Sequence, residues 1–238
     1  MEQPQKRANA TEGSLKPLDE LRPIPHPSSP QGPFAHSAMK SNSLRLVLGI
    51  FSAGLFSGCA FTVHDVEVNH VYNLPIARTF ESAEASIAIE RIDDRRTSAA
   101  SERMIFQQTN LNGDRTSGGW QAEKPVVEII SDSLADGLSK AGLPIVSLEG
   151  DLILSGELVE LDYAIITGFW KGQLNSEMVV KLELQRASDG EILWRETYFA
   201  KDSTDKFEIK EVLNRLLDDL VTQVIDDNFF RQTLAKQP

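Results

Sequence analysis

The chain has 238 residues and a formal net charge of −11. That balance leaves no basic face of the kind nucleic acid requires, and it gives no broad electrostatic pull towards anionic lipid head groups. A single cysteine excludes an intramolecular disulfide. Residues 1–38 are rich in Pro, Ser, Gln and Gly without apolar periodicity, a composition that cannot bury enough apolar surface to fold. They are expected to lie upstream of the true start, since Met39-Lys40 makes an ordinary signal start; the alternative is a cytoplasmic extension removed with the signal. Residues 39–58 then read as that signal. Lys40 and Arg45 precede the apolar run Leu46–Phe56, and Ser57-Gly58 follow. Basic, apolar and small segments in that order mark a secretory signal peptide. The run is too short for a bilayer core, which needs about 20 apolar residues.

Cleavage is expected between Gly58 and Cys59, and Cys59 is the expected lipidation site. Leu55-Phe56-Ser57-Gly58-Cys59 resembles the lipobox of bacterial lipoproteins, with Phe56 standing where a Leu is usual. The resemblance implies that the Cys59 thiol carries a diacylglyceryl group and that the new amino terminus is acylated. Each buried acyl CH₂ contributes about 0.8 kcal/mol, so several chains would make attachment effectively permanent. The competing reading, a core helix ending in a buried Cys, is disfavoured by the Gly and Ser content of the run. Ala60 is not the Asp that retains enterobacterial lipoproteins in the inner membrane, which implies the outer membrane, facing the periplasm.

Residues 59–84 are expected to form a lipidated tether, with Val66, Val68 and Val71 as a possible edge strand stopped by Pro75. Residues 85–238 are expected to form one periplasmic domain. The first strand is expected over Ala85–Ile92, ending in Asp93-Asp94-Arg95-Arg96, a solvated turn with local ion pairs. Thr97–Glu123 reads as a long polar loop, with a short strand at Met104–Phe106 and Trp120 pinning the loop to the body. Pro125 suits a helix start, and Val126, Val127, Ile130, Leu134 and Leu138 follow at helical spacing. Gly142 and Pro144 end the helix, and Ile145-Val146 link onward.

Asp151–Ile166 reads as a strand, and Asn175–Arg186 has the cleanest alternation in the chain, with Met178, Val180, Leu182 and Leu184 on one side. Ser188-Asp189-Gly190 makes a tight turn into a strand over Glu191–Ala200. In the last helix Asp205 is the expected cap, with Glu208 reciprocal to it. Ile209, Val212, Leu213, Leu216, Leu217, Leu220, Val221, Val224 and Ile225 form its apolar stripe, and Phe229, Phe230 and Leu234 continue after a break near Asn228. The element order predicts an α+β fold, a mostly antiparallel sheet with two helices packed on one face.

The lipobox, the strand ending in Asp-x-Arg (Asp93-Arg95 or Asp94-Arg96), the polar loop, the Val126–Leu138 helix, the long meander and the Leu-rich last helix together resemble the YajG-like outer-membrane lipoproteins. The resemblance implies a location and a fold, and no reaction. Auxiliary lipoproteins of ABC transporters and lipoprotein activators of peptidoglycan synthases share the same anchored, small α+β layout.

Little in the chain points to catalysis. After the signal the histidines are His64 and His70, both read as solvated tether residues, so Ser-His and Cys-His chemistry lack a base in the domain. No catalytic residue, metal site or cofactor is expected. The one candidate contact is the turn Thr167-Gly168-Phe169-Trp170-Lys171-Gly172. Adjacent aromatics between glycines are costly to expose and are common interface anchors, so Phe169, Trp170 and Lys171 are assigned to a partner protein or the membrane surface. The chain thus reads as a non-enzymatic outer-membrane lipoprotein that binds an envelope protein. The competing reading is an auxiliary lipoprotein of an ABC-type transport or lipid trafficking system, capturing a small-molecule or lipid ligand.

Overall fold

The computed structural model describes residues 62–80, 84–109, 114–167 and 172–237, all within the compact unit Leu46–Pro238. In chain order the elements are β1 (Val63–Val66), β2 (Ile87–Asp94), β3 (Met104–Thr109), β4 (Arg115–Ala122), α1 (Val126–Lys140), β5 (Ile145–Val146), β6 (Leu152–Thr167), β7 (Gly172–Arg186), β8 (Ile192–Thr204), α2 (Ile209–Asp226) and α3 (Asn228–Leu234).

The main sheet has the order β5-β2-β6-β7-β8. Its long ladders, β6 with β7 and β7 with β8, are antiparallel, as the meander predicts. Strand β2 is the exception: it pairs parallel with both β5 and β6. Parallel neighbours need a long crossover, and β3, β4 and α1 supply it. The α+β expectation holds, with Ile145-Val146 a short edge strand rather than a plain link.

Alternation in β7 puts Met178, Val180, Leu182 and Leu184 on the helix side of the sheet, each at most 1% exposed. Helix α1 covers β2, and α2 covers β8 and β7. The stripe predicted for α2 is buried in full, from Ile209 to Ile225. The two helices meet at Gly137, where a Cβ would lie 2.2 Å from Val221 Cγ1. Helix α2 starts later than the Asp205 cap predicts. Its N-cap is Glu208, with no side-chain cap hydrogen bond. The cause is β8, which stays paired to β7 as far as Thr204, opposite Leu174, and leaves Asp205 outside the helix. The break near Asn228 is real. Asp227 caps α3, its Oδ1 accepting from the amides of Phe229 (2.7 Å) and Phe230 (3.1 Å).

Three further expectations need correction. The polar stretch 97–123 is not a long loop: β3 and β4 form a hairpin, and β1 adds to it in parallel to make a second sheet of order β1-β4-β3. Gly119 permits this. It has φ +154°, and a Cβ there would lie 2.3 Å from Phe106 O. Trp120 does pin the hairpin to the body, edge-on to Tyr163 of β6 at 6.0 Å, and Phe106 packs on the same ring at 5.1 Å.

The stretch read as tether is also packed. Val68, Tyr72 and Phe80 are buried. Tyr72 N donates to Asp136 Oδ2 at 2.8 Å, and its hydroxyl lies 3.1 Å from Thr222 Oγ1, so one residue holds both long helices. His70, expected in solvent, has 3% of its side chain exposed and lies 3.0 Å from Asp218 Oδ1 of α2. Finally, only half of the Asp-Asp-Arg-Arg turn is solvated. Arg95 pairs with Asp93 in the open. Arg96 folds inward and reaches Met104 O at 2.5 Å.

Candidate functional site

The predicted site residues Gly58, Cys59, Phe169, Trp170 and Lys171 lie outside the described residues. Their flanks are described. In β6, Ile165 and Ile166 are 49% and 53% exposed, and Phe207, before α2, is 52% exposed. Ile165 pairs with Leu174 and Ile166 with Gln173, just before the turn. A Cβ on Gly172 would lie 3.5 Å from Phe207 Cζ, which places that ring over the first residue of β7. Consecutive strand residues point to opposite faces, so each face of this end carries one exposed isoleucine, Ile165 opposite Leu174 on the helix side and Ile166 opposite Gln173 on the other. The far end is charged. There Arg186 pairs with Asp189 at 3.0 Å and Glu191 at 2.5 Å around the β7–β8 turn.

The helix-free face of the main sheet forms open grooves. One of about 540 Å³ is lined by Glu160, Asp162, Asn175, Glu177, Lys201 and Ser203 among others. Its size suits a small ligand, but its polar groups already engage one another. Lys201 pairs with Glu177 at 3.1 Å, and the Ser203 hydroxyl bridges Gln173 (2.6 Å) and Asn175 (2.7 Å). On the helix side the space is filled: Leu154, Leu158, Met178, Val180, Leu213 and Leu217 are all at most 1% exposed.

Among the described residues the titratable groups are scattered rather than gathered in one cleft. His64 of β1 stacks on Trp120 of β4, apart from His70. The His70–Asp218 pair has the composition of a base with its orienting carboxylate, yet its ring is enclosed, and Nδ1 is buried with no partner among the described residues. Among the described residues no three His, Cys, Asp or Glu are placed to hold a metal. Carboxyls with clearly shifted affinity for protons shift down. At Asp94 burial works upward, but the hydrogen bonds and charge of Arg96 outweigh it. Asp151 is lowered by the Ser86 hydroxyl and amide, and Asp189 by the Glu191 amide and Arg186. A general acid needs the opposite shift.

Both Asp-x-Arg pairs form, and Asp94-Arg96 is the buried one. Arg96 Nη2 lies 2.6 Å from Asp94 Oδ2, and Nε lies 2.9 Å from Oδ1. The pair ties the end of β2 to the start of β3.

The sequence model of a family described as an uncharacterised lipoprotein matches residues 75–235. No curated protein matches the chain. Among solved structures, protein XCC0632 of Xanthomonas campestris, of the DUF330 family, is similar in fold. It is 15% identical, with a TM-score of 0.52 over 74% of this chain and 100% of that one. Lipoprotein GNA1162 of Neisseria meningitidis is a more distant likeness, 14% identical, with a TM-score of 0.34 over 60% of this chain and 99% of that one.

Proposed function

The chain belongs to this family of uncharacterised lipoproteins, and from that premise we propose that it is a non-enzymatic lipoprotein, held to the outer membrane by acylated Cys59 and facing the periplasm. Its work there is to bind an envelope protein. The observation that carries the binding reading is the filled interior. Side chains occupy the space between sheet and helices, where a carrier would hold an apolar ligand, so the groups left to act are on the surface. The lipobox and Ala60 support the location, and the YajG-like resemblance supports the same membrane.

The test is an affinity pull-down from detergent-solubilised envelopes with the acylated full chain, using Cys59→Ser as the anchoring control. Recovery of one defined membrane complex is expected. Recovery of transporter subunits within it would narrow the role to an auxiliary lipoprotein of an ABC-type system. Recovery of nothing beyond the control would contradict partner binding.

A further inference from the structure

Thr62, the first described residue after Cys59, lies towards the end of the β6–β7 hairpin where Ile165, Ile166 and Phe207 are exposed. Gly119 N donates to Thr62 O at 3.0 Å, and Val63 is in register with Gly119. The next residue, Trp120, packs on Tyr163, two residues before Ile165. Chain preceding Thr62 therefore starts beside the last third of β6. Arg115, at the start of β4, reaches Asp162 Oδ2 at 2.8 Å and holds the small sheet against that part of β6. Three Cα-to-Cα steps, through Ala60 and Phe61, join Cys59 to Thr62, so in any conformation they span at most about 11 Å. Because residues from Thr62 onward are paired or packed, little free chain remains to lift the domain from the bilayer.

We propose that this end rests in the membrane interface, with Ile165, Ile166 and Phe207 entering the boundary between head groups and acyl chains beside the anchor. The inference rests on acylation of Cys59. A hairpin end with an exposed isoleucine on each face and Phe207 beside it fits an element that lipid surrounds on both sides. Contact of this kind relies on buried apolar area, which suits an acidic domain lacking a basic patch for anionic lipid. The second contact fixes the orientation of the domain: the Arg186-Asp189-Glu191 end points away from the bilayer.

The test uses the acylated full chain in phosphatidylethanolamine–phosphatidylglycerol vesicles containing a spin-labelled phosphatidylcholine. Acylated Cys59 takes no maleimide, so Ile166→Cys can be labelled with an environment-sensitive fluorophore. Leu148→Cys serves as the control, since Leu148 is 82% exposed and lies just before β6, at the far end. Quenching severalfold stronger at position 166 than at 148 is expected. Equal quenching at the two positions, with the protein still floating with the vesicles, overturns the inference and leaves anchoring intact. If position 166 is shielded from labelling in native envelopes yet unquenched by lipid, a protein occupies the patch and the inference is equally overturned. Mass analysis of the same sample showing an unmodified Cys59 would remove the anchoring reading, and this inference with it.

Discussion

Arg96 and Asp94 form an ion pair inside the protein: their closest atoms are 2.6 Å apart, and 1% and 10% of their side chains are exposed. Met104 O takes a further hydrogen bond from the guanidinium. Breaking a buried pair by removing one partner leaves an uncompensated charge, which costs about 3–5 kcal/mol. Arg96→Ala is therefore expected to lower the denaturant midpoint strongly, while Arg95→Ala, which loses only exposed pairs to Asp93 and Glu157, is expected to cost about 0–1 kcal/mol. Chemical denaturation of the two variants checks this.

The same pair sets an acid limit. Asp94 is held below the usual carboxyl range in the folded state. Its contribution is fully present above the unfolded value of about 3.9 and is lost as pH falls through the lower folded value. Asp94→Asn is expected to be less stable at neutral pH and to lose part of the fall in stability below about pH 4. Denaturation midpoints measured between neutral pH and that range give both quantities.

At the other end of the pH scale stands Tyr198. Its hydroxyl donates to Asp227 Oδ2 at 2.7 Å, while Oδ1 of the same carboxylate caps α3. Burial, then the Asp227 hydrogen bond and charge, push the phenol far above its ordinary range. The folded pKa is raised, so this contribution is complete below the unfolded value of about 10 and fades as pH climbs above it. Tyr198→Phe is expected to cost about 1.5–3 kcal/mol at neutral pH, as for a hydrogen bond to a charged group. It should also show a weaker alkaline decline than the parent, which alkaline unfolding monitored by circular dichroism would record.

Gly137 sets the spacing of α1 and α2. A Cβ there meets Val221 Cγ1 at 2.2 Å. Gly137→Ala gains about 1 kcal/mol of helix propensity, but overpacking a core costs about 1–3 kcal/mol. The net expectation is a destabilised protein that Val221→Ala partly rescues. A double-mutant cycle showing additive losses would contradict the close approach.

The helices and long strands are legible because each carries its own periodicity: the 3.6-residue stripe of α2 and the strict alternation in β7. The small sheet is not. Arg-Thr-Ser-Gly-Gly-Trp-Gln-Ala contains few strand formers, and β4 becomes a strand because β1 and β3 pair with it. Tyr72 and His70 looked like tether because their partners, Thr222 and Asp218, are about 150 positions away and no local pattern announces such contacts. The hairpin end does carry a signal in the sequence. Ile165-Ile166 puts apolar residues on both faces of a strand end, whereas Phe207 has nothing in its neighbourhood to mark it.

The packed N-terminal segment has its own consequence. Tyr72 is 2% exposed, and truncating a buried aromatic costs about 3–5 kcal/mol. Tyr72→Ala is expected to open the 68–80 segment to limited proteolysis, while Val71→Ala, at a position 53% exposed, is expected to leave it protected. Equal cleavage of the two variants would contradict the packing.

The most direct test of the account is the mass of the mature amino terminus, measured on protein isolated from outer-membrane fractions. The expected result is a terminal peptide that begins at acylated Cys59, with no peptide from residues 1–58 and loss of membrane association in Cys59→Ser. An unmodified peptide running through Gly58-Cys59, recovered from the soluble fraction, would contradict the anchored lipoprotein and everything built on it.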